Sequence, residues 1–91
     1  MTRDAMLNIL EETLKGLSVK LVYDDLRKGE VNTRGGLFTL KGERCALIHK
    51  GLSVEDKVEL LLGILSTMDT ESLHLPPAVR KKIEEARIET A

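Results

Sequence analysis

The side chains of this chain best suited to bind metals or act as nucleophiles are Cys45, His49 and His74. Cys45 and His49 share one predicted strand four residues apart, so their backbones lie about 13 Å from each other at 3.3 Å per residue. No combination of the three has the spacing of a zinc site. His49 ends its predicted strand and His74 lies in a predicted turn, so both are expected at the surface or at a boundary. Cys45 is not at a helix N-terminus, where nucleophilic cysteines are activated. The sequence therefore predicts no catalytic residue, no metal and no cofactor.

Polar residues around a predicted β-hairpin suggest an alternative, a small-molecule site or an enzyme. These residues are Arg34, Arg44, His49 and Asp69, with Cys45 as a reactive thiol. The Arg34-Gly35-Gly36 stretch lacks the P-loop and dinucleotide fingerprints, and no helix is predicted to begin there. Glycines that open a strand are more often a bulge or bend.

Composition limits the class of protein. The 91 residues predict one domain, 1–91, with an aliphatic core, because Tyr23 and Phe38 are the only aromatic residues. Lys and Arg number 14 against 15 Asp and Glu, so no nucleic-acid or membrane partner is expected. A lone cysteine, no signal-peptide pattern and no apolar run of bilayer length predict a cytoplasmic protein.

The elements that position these residues follow from periodicity. Thr2 is a predicted helix cap, Gly16 the predicted left-handed helix end, and Leu17 to Tyr23 alternate as a strand. Residues 24–34 are charged and predict a mobile loop. A hairpin with a turn at Lys41 to Glu43 follows. The expected fold is α+β, with a small antiparallel three-stranded sheet packed with an N-terminal helix, a central Leu-rich helix and a short C-terminal helix.

The central helix is predicted to begin at Ser53 and to run to about Met68. Leu60 and Ile64 lie off its main apolar stripe, so the helix is apolar around much of its circumference. Packing within the chain is the favoured explanation. The alternative is an interface for a second copy or a protein partner, formed by Leu60, Ile64 and Met68.

After Pro76 and Pro77 a last helix is expected, with Val79, Ile83 and Ala86 on its buried side. Arg80 with Glu84 and Lys81 with Glu85 are four residues apart and predict ion pairs on its solvated face.

The order of elements, with Leu21-Val22-Tyr23 ending a strand, a Gly-Gly hairpin, and Leu-Ser-Val-Glu-Asp-Lys before a Leu-rich helix, resembles the ImmA/IrrE-type minimal metallopeptidase domain. That family carries His-Glu-x-x-His on the helix, which binds zinc and supplies a general base. Here the equivalent stretch reads Leu62-Gly63-Ile64-Leu65-Ser66. The resemblance therefore implies a metal-free relative without peptidase activity. The segment Leu75 to Arg80 also resembles one in short bacterial proteins, and this likeness implies no function.

Two functions follow as hypotheses. The first is a non-catalytic protein-interaction or dimerisation module that uses the central helix or an exposed sheet edge. The second is the small-molecule site or enzyme near the 34–49 hairpin.

Overall fold

The computed structural model describes residues 2–26 and 35–90. Its elements run in the order α1 (Arg3–Gly16), β1 (Lys20–Asp24), β2 (Gly35–Leu40), β3 (Glu43–His49), α2 (Val54–Leu65) and α3 (Pro77–Thr90). The α+β class and the packing of helices on the sheet are confirmed. Of the predicted mobile loop 24–34, Asp24 ends β1, and residues 27–34 lie outside the described residues.

Two predicted helix caps are present. The hydroxyl of Thr2 accepts a hydrogen bond from the Ala5 amide at 3.1 Å, and the hydroxyl of Ser53 accepts one from the Asp56 amide at 3.1 Å. Each bond satisfies a backbone donor that the first helical turn would otherwise leave without a partner. The sequence therefore predicts the start of each of these helices from its capping residue alone.

The end of α1 differs from the prediction. Gly16 stays inside the helix, and the left-handed residue is Ser18, with φ of 63°. The Ser18 amide donates to Lys15 O and the Val19 amide donates to Leu14 O, both at 3.0 Å. This is a Schellman motif, whose left-handed residue is usually glycine. It lies two positions later than predicted because the buried pair Leu14 and Val19 closes the motif.

The sheet is mixed, which corrects the antiparallel prediction. Strand order is β1-β3-β2; β2 pairs antiparallel with β3 as the hairpin requires, whereas β1 pairs parallel with β3. Each strand runs in the predicted direction, but β3 lies between the other two. The connection from β1 to β2, residues 25–34, is long enough that β2 need not pair with β1. Strand β3 then lies between them and pairs with both.

The helices cover one face of the sheet. α1 and α2 pack on the strands and on each other, and α3 packs on α2. The C-terminal helix is not short, because its 14 residues equal those of α1. The core cluster consists of Leu10, Leu14, Val19, Ala46, Ile48, Leu52, Leu61, Ile64, Leu65, Met68, Val79 and Ile83.

Two arginines of α3 hold the α2–α3 connection. Arg87 donates to Met68 O at 2.8 Å, Thr70 Oγ1 at 3.1 Å and Ser66 O at 3.3 Å, and Arg80 donates to Leu73 O at 2.7 Å. A guanidinium at these carbonyls satisfies acceptors that the end of α2 leaves open and opposes the negative end of its dipole.

The ion pairs on α3 are spaced by three residues, not four. They join Glu84 to Arg87 and Lys82 to Glu85. The predicted pair of Arg80 with Glu84 is replaced because Arg80 turns toward the carbonyl of Leu73. In place of the predicted pair with Lys81, Glu85 pairs with Lys82.

Two single substitutions at the end of α1, a glycine at position 18 and an alanine at position 16, should each stabilise the chain. We expect Ser18→Gly to raise the free energy of unfolding by about 0.5–1 kcal/mol, because glycine adopts a left-handed conformation without steric cost. Gly16→Ala, whose added Cβ would meet nothing within 4 Å, should add a similar amount through helix propensity. Urea unfolding measures both changes, and a loss of stability in Ser18→Gly would contradict the assigned helix end.

Removing the Arg87 guanidinium should destabilise the chain strongly. We expect Arg87→Met, which keeps the aliphatic stem, to cost about 2–3 kcal/mol in urea unfolding, because carbonyls of the connection lose a charged donor. Arg3→Met is the matched control: Arg3 forms an exposed ion pair with Glu55 at 3.6 Å, and its loss should cost under about 0.5 kcal/mol. Equal effects of the two variants would contradict the proposed role of Arg87.

Candidate functional site

The predicted interface on α2 lies mostly inside the chain. Ile64 and Met68 are buried in the core cluster, and Leu60 is partly buried against it. The sheet, α1 and α3 surround α2 and cover its wide apolar stripe. Ile64 and Met68 therefore offer no exposed surface to a partner, because α3 supplies the cover that the sequence left open.

The predicted polar cluster around the hairpin does not converge. Arg34 lies outside the described residues. Arg44 is exposed and alternates with Cys45 on β3, so the two side chains lie on opposite faces of the sheet. Cys45 and His49 share a face but are four residues apart. Among the described residues, no group of three His, Cys, Asp or Glu side chains is placed to hold a metal ion.

His49 is a buried structural residue, which corrects its expected place at the surface or a boundary. The residue is 7% exposed, and Nδ1 accepts a hydrogen bond from the Leu26 amide at 3.1 Å. Because Nδ1 is the acceptor of this bond, Nε2 is the donor of the ring. The ring packs over Gly51, where an added Cβ would lie 2.7 Å from Nε2. His49 ties the end of β3 to the chain that leaves β1.

Cys45 is also buried, with its thiol 3.9 Å from the carbonyl oxygen of Glu43. In the register of the sheet it lies between Lys20 of β1 and Phe38 of β2. A thiol covered on both sides in a central strand behaves as a small apolar residue.

Tyr23 joins the sheet to α1 and α2. Its hydroxyl donates to Glu11 of α1, and the ammonium of Lys57 of α2 lies 5.4 Å from the ring centroid. Burial raises the pKa of Tyr23 well above its ordinary value, and the hydrogen bond to Glu11 and the negative charge of that carboxylate add to the effect. The residue fastens β1 to the helical layer.

The two faces of the sheet differ in what covers them. Ala46 and Ile48 point into the helical layer, together with Leu21. We call the opposite face the distal face. Its side chains, placed by register and alternation, include Val22, Leu47, Cys45, Phe38 and Leu40.

Strand β2 is the most exposed apolar element. It forms one edge of the sheet, and no described strand pairs with it on the side away from β3. We call that side, over Gly36–Leu40, the open edge. The large apolar residues of β2 are all exposed, Leu37 and Phe38 by 38% and Leu40 by 56%. The sequence predicts an exposed sheet edge as an interface but does not identify the strand, because it does not show the order of the strands.

The hairpin turn determines which backbone groups face the open edge. Lys41 and Gly42 both have positive φ, 52° and 81°, the pattern of a two-residue type I′ turn. The residues that flank such a turn exchange both backbone hydrogen bonds, so Leu40 and Phe38 bond to β3. The N–H and C=O groups of Leu37 and Thr39 therefore point to the open edge.

A groove of about 660 Å³ lies between the three helices. Exposed ion pairs on its rim join Arg3 to Glu55 and Lys82 to Glu85, each at 3.6 Å. These opposite charges neutralise each other, so the rim does not select a ligand of one charge. The apolar side chains and the glycine that line it are Met6, Val58, Leu62, Gly63 and Ala86.

Comparison with protein-family models, curated proteins and solved structures finds no match. The resemblance to ImmA/IrrE-type metallopeptidases therefore stays a prediction. The stretch Leu62–Ser66, where that family carries its zinc motif, lies at the end of α2 and holds the core residues Ile64 and Leu65. Within residues 2–26 and 35–90, no helix is long and apolar enough to cross a membrane.

Tyr23 should titrate at higher pH than a free tyrosine. Because the chain has one tyrosine and no tryptophan, tyrosinate absorbance reports this group alone. We expect its midpoint above the ordinary value of about 10, and we expect Glu11→Gln to lower it, because that variant removes the neighbouring negative charge.

The same shift makes stability depend on pH. Below about pH 10 the folded and unfolded chains both keep the Tyr23 proton, whereas above it only the unfolded chain loses that proton. The contribution of Tyr23 to stability is thus full below pH 10 and is lost as the pH rises further. An ordinary midpoint in the native protein would show that Tyr23 is not bonded to Glu11.

Proposed function

We propose that this chain is a non-catalytic protein-interaction module that binds an extended strand of a partner along the open edge of β2. Such edges are usually protected by charged side chains, proline, bulges or a covering element, because unpaired backbone groups recruit other strands. Residues Gly35–Leu40 contain no charge and no proline. Addition of a strand to an exposed sheet edge is a common mode of peptide recognition.

The observation that carries the proposal is the concentration of exposed apolar side chains on one edge strand. Leu37, Phe38 and Leu40 are neighbours on β2, whereas Tyr23 and Ile88, the other exposed large apolar residues of the described ranges, lie singly on β1 and α3. Tyr23 already has Glu11 and Lys57 as partners. Single exposed apolar residues are ordinary, but a row of them beside unpaired backbone groups indicates an interface.

The cellular setting that fits this function is the reducing cytoplasm. Cys45 is a free, buried thiol, and the fold needs no disulfide to close its sheet or hold its helices.

The alternative function, a small-molecule site or an enzyme near the 34–49 hairpin, has less support. Of its residues, Cys45 and His49 are buried, and Arg44 lies on the other face of the sheet. Asp69 lies after α2, where its carboxylate accepts a hydrogen bond from the Glu71 amide. A ligand or substrate needs polar groups that converge on one cavity.

Site-directed photo-crosslinking in the native cell tests the interaction. Leu40, on the open edge, is replaced by benzoylphenylalanine, and the matched control carries the same residue at Ile88, which is 75% exposed on α3. We expect irradiation to give a discrete adduct from position 40 and none from position 88. No adduct from position 40, or the same adducts from both positions, would contradict the proposal.

A further inference from the structure

We propose that the strand bound by the open edge is β2 of a second copy of this chain. The two strands pair antiparallel about a two-fold axis that passes between the two Phe38 residues. This inference rests on the proposed function and specifies its partner. It joins two three-stranded sheets into one sheet of order β1-β3-β2-β2-β3-β1, with the helices of both copies on the same side.

Only one register pairs every residue of the open edge, Gly36–Leu40, with a residue of the same edge in the second copy. A two-fold axis perpendicular to the sheet keeps each face on its own side, so a residue must lie opposite one of the same face. With the axis at Phe38, Leu37 lies opposite Thr39 of the second copy, and both turn their N–H and C=O groups to the open edge. They exchange both backbone hydrogen bonds, and symmetry repeats the exchange. Centring the axis on Thr39 instead would bring Lys41, which has left-handed φ, into the ladder.

The side chains of the distal face are complementary in this register. Phe38 lies opposite its own copy, and such aromatic pairs contribute to strand association. Leu40, the most exposed apolar residue of the sheet, lies opposite Gly36 of the second copy. Space is available there, because a Cβ built on Gly36 would meet no atom within 4 Å. A bulky residue thus fills the gap left by a glycine on each side of the axis.

Charge also favours a second copy as the occupant. Residues 36–40 carry no charge, so two copies of the strand meet without repulsion. The whole chain has a formal net charge of -1, which is too small to keep two copies apart at physiological salt. β2 itself offers no charged residue with which to select a partner of another kind.

The size of the contact limits its strength. Pairing of one short strand buries less than the roughly 1,200 Å² that separates weak from stable interfaces. We therefore expect a dissociation constant of about 10 µM to 1 mM, with rapid exchange between monomer and dimer.

Sedimentation equilibrium from about 10 µM to about 1 mM tests the dimer. The natural chain should approach the dimer mass, whereas Phe38→Lys and Phe38→Glu should each stay monomeric, because like charges then face each other across the axis. Mixing the two variants should restore dimers. Phe38 is exposed by 38%, and thermal melts check that each variant folds.

Disulfide trapping tests the register even if a charged variant fails to fold. Phe38→Cys is made with Cys45→Ala, because Cys45 lies opposite Phe38 within the chain. Across the axis the two new thiols are within disulfide reach. The matched control is Leu40→Cys with Cys45→Ala, whose thiols would be about 13 Å apart. We expect a crosslinked dimer from position 38 at least tenfold faster than from position 40.

Three results would overturn the inference: a monomer at about 1 mM, a dimer unaffected by both charged variants, or equally fast crosslinking at positions 38 and 40. The proposed function can fail separately. A chain that is monomeric but forms a discrete photo-adduct with a different protein from position 40 refutes the second copy and leaves the interaction module standing. A monomeric chain without that adduct refutes both.

Discussion

The structure depends on the central position of β3. It pairs with β1 on one side and β2 on the other. On the face toward the helices, the side chains of Ala46 and Ile48 are fully buried. The opposite side of the same strand is also covered, at Cys45 and His49. Because β3 uses both of its edges within the chain, β1 and β2 must each end the described sheet. The open edge is thus a consequence of strand order, not of any residue on β2.

The helical layer explains why the surplus of apolar residues on α2 forms no exposed interface. Helix α2 is apolar around much of its surface because it is buried on several sides, by the sheet, α1 and α3. Arg87 and Arg80 hold the α2–α3 connection through its carbonyls, which keeps α3 in place over α2. The surplus of apolar residues on α2 is therefore core, and the exposed apolar residues lie on the sheet. An apolar stripe indicates burial but does not tell which part of the protein provides it.

Local features of the fold were predictable, and long-range ones were not. Thr2, Ser53 and the Lys41-Gly42 turn act on backbone groups within four residues, so their effect is visible in the sequence. The parallel pairing of β1 with β3 joins residues about 25 positions apart, such as Lys20 and Cys45, and no local pattern encodes it. His49 was misjudged for the same reason, because its partner Leu26 is distant in sequence. Nothing in Gly16 or Ser18 alone shows that burial of Leu14 and Val19 shifts the helix end.

Amide hydrogen exchange along β2, followed by NMR, tests the central claim most directly. In dilute solution the amides of Phe38 and Leu40 should be protected by β3, whereas those of Leu37 and Thr39 should exchange freely. At high concentration the amides of Leu37 and Thr39 should gain protection while that of the exposed turn residue Gly42 does not. If the protection of the Leu37 and Thr39 amides did not change with protein concentration, that result would contradict an open edge that binds a second copy. This holds whether the constant protection is strong or weak.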